Sequence, residues 1–192
     1  AAAAAVAASV VAVVASAAAV RRGTGDMNRL QRLFRHLLET RFSTRRRFTP
    51  AVLDAVEVAV RSAEAAHCGE VRFVVETDLD VWSILAGKAP RQRALELYSG
   101  LAVWDTERNN GVLVYVLFAD RAVEIVADRG FNGLVTADEW AAVCRKMESE
   151  FRQGRWQQGA LAGVAAAAAL VARHFPGNGQ HGNELPDRPL LL

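Results

Sequence analysis

Residues Trp104 to Gly130 read W-D-T-E-R-N-N-G-V-L-V-Y-V-L-F-A-D-R-A-V-E-I-V-A-D-R-G, and this stretch decides the fold. Gly111 to Ala119 is a nearly unbroken apolar run, rich in β-branched and aromatic residues, which is typical of a strand covered on both faces. Ala122 to Asp128 predicts the antiparallel return strand, joined to the first through a tight turn. Such a hairpin brings the polar loop Asp105 to Gly111 beside the end of the return strand. Two glycine-bearing loops therefore meet at one end of the sheet.

The segments around this hairpin predict several helices and one further strand. Glu70 to Thr77 predicts a first strand, and Arg91 to Val103 predicts a helix that leads to the hairpin, which makes a right-handed βαβ unit. Helices are also predicted from Thr49–Pro50 to Ala66, from the capping box at Thr136 to Phe151, and from Trp156 to His174. This order predicts an α/β fold: a three-layer α/β/α sandwich with a small mixed sheet that contains one βαβ unit and one β-hairpin.

Composition excludes several classes of function. A chain of 192 residues with a net charge of +2 suits one domain with a proper core, and it carries too little positive charge for a nucleic-acid-binding protein. Its two cysteines, Cys68 and Cys144, are too few for a disulfide framework and are predicted to be buried thiols. The sequence has no Walker-type phosphate loop, dinucleotide fingerprint, metalloprotease helix or nucleophile elbow. No motif therefore assigns catalytic residues.

The two ends of the chain differ from the rest in composition. Residues 1–26 are a low-complexity segment dominated by Ala, Val and Ser, and two interpretations stay open. The segment is either an upstream or disordered extension, or residues 1–20 form a weak membrane anchor. The length matches a bilayer crossing, but alanine is barely hydrophobic. Residues 176–192 show no packing signal and are predicted to be an irregular tail.

Residues 27–47 form a basic segment, predicted to be an amphipathic helix followed by a linker. Its apolar positions have helical spacing and are Leu30, Leu33, Phe34, Leu37 and Leu38. The arginines predicted to contact a membrane or a partner are Arg29, Arg32, Arg35, Arg45, Arg46 and Arg47. The segment either docks on an anionic lipid surface or an acidic partner, or packs on its own domain with solvated arginines.

The two loops that meet at the end of the hairpin are the first candidate site. Carboxylate and amide oxygens bind calcium or magnesium, and the predicted metal ligands are Asp105, Glu107, Asn110 and Asp128. A bound cation would act as a Lewis acid on a phosphate held by Arg108 or Arg129. The alternative is a structural ion-pair network of the same side chains. The second candidate is the opposite end of the sheet, with Glu76, Asp78, Asp80, Asp120 and Arg121.

Several segments resemble the TPM domain family. They are N-N-G-V-L-V-Y-V from Asn109, the D-R turn at Asp120, V-E-I-V-A-D-R-G from Val123, and F-R-Q-G-R-W-Q-Q-G-A-L from Phe151. The resemblance covers residues 48–175 and points to a bacterial branch in which the domain stands alone. It implies an α/β/α fold and work at or near a membrane. It also implies calcium binding and weak acid-phosphatase activity, which some members are reported to have.

The resemblance bears on the candidate site and on partners. Family members commonly carry a G-x-G turn where this chain has Asp128, Arg129 and Gly130. Bacterial neighbours often include LemA-type membrane proteins, so a membrane protein of that type or an anionic lipid surface is the expected partner.

Together the residues and the resemblance predict a non-enzymatic interaction module near a membrane, in membrane-protein maintenance or stress response. The alternative is a weak divalent-metal-dependent acid phosphatase. The expected location is cytoplasmic, peripheral to the inner membrane, with anchoring through residues 1–20 as the alternative. The sequence predicts no oligomeric state.

Overall fold

The computed structural model describes residues 29–177 and 182–192, which form seven α-helices, four strands and one 3-10 turn. In chain order these are α1 (Arg29–Leu38), α2 (Arg41–Arg47), α3 (Pro50–Glu64), β1 (Glu70–Glu76), α4 (Val81–Leu85), α5 (Pro90–Gly100), β2 (Gly111–Leu117), β3 (Ala122–Ala127), the 3-10 turn Arg129–Phe131, α6 (Ala137–Arg152), α7 (Trp156–His174) and β4 (Leu190–Leu191). Helices lie on both faces of the sheet, so the predicted α/β/α class is confirmed.

The strand order of the sheet is β3-β2-β1-β4. β1 pairs with β2 in parallel, with Glu70 opposite Gly111, and α5 lies in the connection between them. β2 and β3 are antiparallel, with Val112 opposite Ala127. The predicted βαβ unit and the predicted hairpin are therefore both present.

Every residue of β2 is buried, because helices cover both faces of the sheet. Alternate residues belong to two hydrophobic clusters. Val112, Val114 and Val116 pack with α3, α6 and α7, and Leu113, Tyr115 and Leu117 pack with α5. Burial on both sides explains why this strand is uniformly apolar and does not alternate with polar residues.

Small residues in α7 let it approach α6 closely. A Cβ atom added at Gly163 would overlap the Met147 side chain, and one at Gly159 would lie 2.6 Å from a ring carbon of Phe151. Both α6 residues are buried in the cluster beneath these helices. The alanine- and glycine-rich composition of α7 is therefore a packing requirement.

The last residues differ from the expected irregular tail. Leu190 and Leu191 form β4 in parallel with β1, and a guanidinium nitrogen of Arg72 lies 2.6 Å from the carbonyl oxygens of both Pro186 and Arg188. The Leu185 amide also donates to Glu70 Oε2 at 3.2 Å. Side chains of β1 hold most of this segment, so it pairs as a strand although its own sequence shows no strand periodicity.

Polar and charged side chains cover backbone groups of β1, beyond its short pairing with β4, and of the edge strand β3. At β1, Glu64 Oε1 accepts the Val71 amide at 2.9 Å, and burial raises the pKa of Glu64 to about 8. At β3, the Val123 amide donates to Glu148 Oε1 at 3.2 Å, and the Arg91 guanidinium donates to the carbonyl of Ile125. Backbone groups that would otherwise point outward are therefore occupied, as expected for protected edge strands.

The basic segment contains two helices rather than one helix and a linker. Thr40 caps α2, since its hydroxyl accepts the Ser43 amide at 3.2 Å. Within the described part of the chain no helix is both long and apolar enough to cross a membrane. The interpretations of residues 1–26, including the anchor over residues 1–20, lie outside the described residues.

Candidate functional site

The two loops predicted to converge do meet at one end of the hairpin. The Asp128 amide donates to the Gly111 carbonyl at 2.9 Å, and the Gly130 amide donates to the Asn109 carbonyl at 2.9 Å. Arg129 Nε also donates to Asn109 Oδ1 at 2.7 Å. We call the loops 101–110 and 128–131 the polar corner.

Glycine is required where these loops touch. A Cβ atom at Gly111 would overlap the Val103 carbonyl, and one at Gly130 would overlap the Asn109 carbonyl. Asn109 has φ 53° and Ala102 has φ 53°, so two non-glycine residues of one loop adopt the left-handed region. Asparagine tolerates this conformation, whereas an alanine there stores strain of about 1 kcal/mol.

The predicted metal ligands do not share one face of the sheet. Asp128 lies opposite Gly111 on the neighbouring strand. Because successive side chains of a strand point to opposite faces, Asp128 lies on the face of Leu113, whereas Asn110 lies on the face of Val112. The Asn110 amide is engaged elsewhere, because its Nδ2 donates to the Cys68 carbonyl at 2.7 Å.

Three other residues of the predicted site, Asp105, Glu107 and Arg108, are exposed. In residues 29–177 and 182–192, no group of three or more acidic, histidine or cysteine side chains is placed to hold a metal ion.

Asp128 is the residue of the polar corner with the most unusual environment. It is buried, and its Oδ1 accepts the Arg129 amide at 2.6 Å. Burial raises the pKa of Asp128, because the carboxylate loses water, and the Arg129 amide, the nearby Tyr98 hydroxyl and the Arg129 charge offset only part of that cost. The other oxygen, Oδ2, makes no hydrogen bond within the described structure.

Tyr98 of α5 lies beside Asp128 and was not predicted as a site residue. It is buried, and burial together with the negative charge of Asp128 raises its pKa. The Tyr98 hydroxyl and the Asp128 carboxylate influence each other's pKa, although Tyr98 Oη and Asp128 Oδ2 lie outside ideal hydrogen-bond geometry in the described structure. An inward tyrosine is visible in the helical pattern of α5, but its position beside Asp128 depends on the packing of α5 against β3.

The opposite end of the hairpin holds Asp120 in a charged clamp. Arg32 donates to both carboxylate oxygens, with Nη2 at 2.6 Å from Oδ2, and His36 Nε2 lies 3.0 Å from Oδ1. His36 Nδ1 accepts the Leu79 amide at 3.0 Å, so Nε2 is the nitrogen that donates to Asp120. Burial alone would raise the pKa of Asp120, but hydrogen bonds from His36 and Arg32 lower it. We call Arg32, His36 and Asp120 the clamp.

Two other acids at this end are also engaged, whereas Asp78 is exposed. Glu76 Oε1 lies 2.8 Å from Arg93 Nη2, and Glu76 Oε2 accepts the Tyr115 hydroxyl at 2.6 Å. Asp80 caps α4 by accepting the Ser83 amide at 2.9 Å. These contacts are structural, so this end of the sheet contains an ion-pair network.

The clamp turns α1 so that its apolar side faces outward. Arg32 and His36 point into the domain, while the exposed fractions of Leu30, Phe34, Leu37 and Leu38 are 57%, 64%, 60% and 78%. Phe42 of α2 is 70% exposed. These five residues, Leu30, Phe34, Leu37, Leu38 and Phe42, form what we call the docking face. The sequence indicates an amphipathic helix, but the side that packs on the domain carries Arg32 and His36 together with Leu33.

The predicted contact arginines separate into two groups. Arg32 belongs to the clamp, Arg29 Nη1 reaches the Leu85 carbonyl at 3.4 Å, and Arg47 lies over the rings of Phe118 and Trp156. The remaining three lie outside these contacts with the core: Arg45 and Arg46 are exposed, and Arg35 is half-buried.

Comparisons with known proteins agree with this fold. The BA42 protein of the psychrophilic bacterium Bizionia argentinensis is similar at 29% identity and a TM-score of 0.63, over 75% of this chain and 94% of that chain. The N-terminal domain of a P. gingivalis protein shares the fold, with 21% identity, a TM-score of 0.53, and coverage of 70% of this chain and 82% of that one. No curated protein matches.

A family model described as the TPM domain matches residues 44–170, which include the hairpin, the polar corner, α3, α6 and most of α7. This match spans more than half of the sequence, and the chain therefore belongs to the TPM domain family.

Proposed function

We propose that this protein is a TPM-type interaction module that binds an anionic membrane surface through the docking face. The observation that carries the proposal is the outward exposure of four large apolar side chains of α1, each more than half exposed. Soluble domains rarely expose such a contiguous set without a binding role. A helix with an apolar outer side and arginines around it is suited to the interface of a bilayer.

The free energies expected for side-chain insertion and for charge attraction favour a contact that combines both. Transfer of one Leu or Phe side chain from water to an apolar environment is worth about 1.5–3 kcal/mol. An arginine near an anionic leaflet contributes about 1 kcal/mol. Arg41, Arg45 and Arg46 are exposed in or beside α2, next to Phe42. Insertion of two or three apolar side chains with this charge is enough for reversible binding.

The cellular role that fits this contact is support of membrane proteins, in their maintenance or under stress, at the cytoplasmic side of the inner membrane. A membrane protein such as one of the LemA type is a further partner for the same face. The polar corner would then stay available to a second molecule.

Vesicle sedimentation with the full chain tests the proposal. Vesicles of phosphatidylglycerol and phosphatidylcholine should pellet the wild type, and combined Phe34→Ser and Leu38→Ser should weaken binding at least tenfold, since about 1.4 kcal/mol corresponds to tenfold. Val58→Ser is the matched control, because Val58 is 59% exposed but lies in α3. Equal pelleting of the double variant and the wild type would exclude this face.

The dependence on salt separates the two components of the contact. Added salt screens arginine attraction over about 10 Å or less, so binding should weaken but persist through the apolar contacts. Binding to uncharged vesicles should likewise be weaker than binding to anionic ones, but not absent.

Divalent-cation binding at Asp128, with weak phosphomonoesterase activity, is a second candidate function. It is supported by the buried Asp128 Oδ2, which has no hydrogen-bond donor in the described structure. Arg129 lies next to it and could hold a phosphate.

Calorimetry with calcium and with magnesium tests this second candidate. Millimolar metal should release or absorb heat with the wild type, and Asp128→Asn should abolish the signal while Asp105→Asn, at an exposed acid of the same corner, should keep most of it. Absence of both a heat signal and a thermal shift with the wild type would remove the candidate.

A further inference from the structure

Two exposed tryptophans lie at opposite ends of the sheet. Trp82 of α4 follows the carboxyl end of β1 and is 80% exposed, whereas Trp104 precedes the amino end of β2 and is 39% exposed. β1 and β2 run in parallel over seven residues, so these ends are about 20 Å apart. The other two tryptophans, Trp140 and Trp156, lie in the main core or pack against it.

Helix α4 lies beside α1 at the clamp end of the sheet. Arg29 of α1 donates to the Leu85 carbonyl of α4 at 3.4 Å, and Ile84 is the α4 residue that enters the core. Val81 and Leu85 are each 40% exposed. Two short neighbouring helices therefore leave apolar side chains in solvent at the same end of the domain.

We infer that α4, led by Trp82, completes the membrane-contact surface, so that the domain binds a bilayer with its clamp end toward the lipid and its polar corner toward the aqueous phase. This inference rests on the proposed function and adds the orientation of the domain. Tryptophan is enriched at membrane–water interfaces because its ring is apolar and its N–H is polar.

The charges of the two ends favour the same orientation. The segment from Arg29 to Arg47 contains seven arginines and one acid, which suits an anionic leaflet. The polar corner exposes two acids, Asp105 and Glu107, and two arginines, Arg108 and Arg129, so it has no comparable excess of positive charge. Stronger attraction at the clamp end than at the polar corner would orient the domain even before apolar side chains insert.

The same charges disfavour a second copy of this chain as the occupant. A twofold dimer places the same surface of both copies in contact. Arg35, Arg41 and Arg45 of one copy would then face the same arginines of the other. A bilayer with anionic headgroups meets these charges with opposite ones, so it is the occupant to which we commit.

Quenching of tryptophan fluorescence by lipids with brominated acyl chains tests the orientation. Full-length protein is bound to vesicles of phosphatidylglycerol and brominated phosphatidylcholine, and emission is compared with that on the same vesicles without bromine. The wild type should be quenched and Trp104→Phe should be quenched to a similar extent. Trp82→Phe, compared at lipid concentrations that give the same bound fraction, should lose most of the quenching.

Sedimentation of the same samples distinguishes failure of the orientation from failure of the proposed function. Bound protein that is not quenched, or quenching lost in Trp104→Phe and kept in Trp82→Phe, would overturn the orientation while the membrane contact stands. Absence of wild-type pelleting would overturn both. Light scattering that shows a dimer which Trp82→Ser dissociates, without lipid quenching, would replace the bilayer by a second copy and overturn the inference.

Discussion

The two ends of the β2–β3 hairpin each hold an aspartate, and the two environments are opposite. Arg32 and His36 surround Asp120, whose pKa they lower even though the side chain is 8% exposed. Asp128 is buried to a similar degree but has one backbone donor and a raised pKa. Burial does not by itself make a carboxylate a candidate site; what matters is whether the protein supplies its partners.

The comparison assigns different roles to the two residues. Asp120 is fully used by the fold, because it positions α1 and so sets the direction of the docking face. Asp128 Oδ2 has no hydrogen-bond partner in the described structure, so this oxygen is available to a ligand. Variants at each end should therefore change stability in different directions.

Replacement of Asp120 should have the largest effect. Asp120→Ala leaves the Arg32 guanidinium without its counter-charge and His36 Nε2 without its acceptor, and breaking a buried pair in this way costs about 3 kcal/mol. The free energy of unfolding in urea measures the loss. Asp105→Ala is the control, because that exposed acid should cost less than about 0.5 kcal/mol. A similar cost for both variants would contradict the clamp.

Replacement of each of the two tyrosines by phenylalanine should lower the free energy of unfolding by a smaller amount, and the two costs should differ. Tyr115 donates to Glu76 at 2.6 Å, so Tyr115→Phe should cost about 1.5–3 kcal/mol, as expected for a hydrogen bond to a charged group. Tyr98→Phe should cost less than about 0.5 kcal/mol, because the contact of its buried hydroxyl with Asp128 lies outside ideal hydrogen-bond geometry. Urea denaturation of both variants measures the difference, and equal costs would show that Tyr98 is engaged.

The smallest effect concerns the dependence of stability on pH. The folded pKa of Asp120 is depressed, so its stabilisation is present above the unfolded pKa of about 3.9 and is lost as pH falls through the folded value. The folded pKa of Asp128 is raised, so its contribution is complete below about 3.9 and is lost as pH rises through the folded value. Asp128→Asn should therefore be more stable than the wild type at neutral pH.

Denaturation of the Asn variants between pH 3 and pH 7 measures these slopes. Relative to the wild type, Asp120→Asn should become less stable as pH rises and Asp128→Asn should become more stable. Slopes of the same sign would contradict the assigned environments.

Much of the fold could be predicted from the sequence, because local pattern and tertiary packing agree there. The apolar run at 111–119 and the return at 122–128 specify the hairpin, and the capping boxes specify helix starts. Convergence of the loops at Gly111 and Asp128 follows from that hairpin alone. These features depend on contacts close in sequence.

The remaining features depend on contacts between distant segments. The pattern of α1 gives two sides, but Asp120, 84 residues from His36, decides which side is buried. Likewise, Arg72 holds the carbonyl of Pro186 across 114 residues, and nothing in the tail itself indicates a strand. Tyr98 was missed as a neighbour of Asp128 for the same reason.

The closed edges of the sheet limit how this domain can associate. A partner that added a strand would first have to remove Glu148 and Arg91 from β3, or displace residues 185–192 from β1. Both exchanges break charged contacts before any new backbone pairing forms. Even at high local concentration on a membrane, copies of the domain should therefore not associate by edge-to-edge strand pairing. Partners would instead bind to the surfaces of the helices.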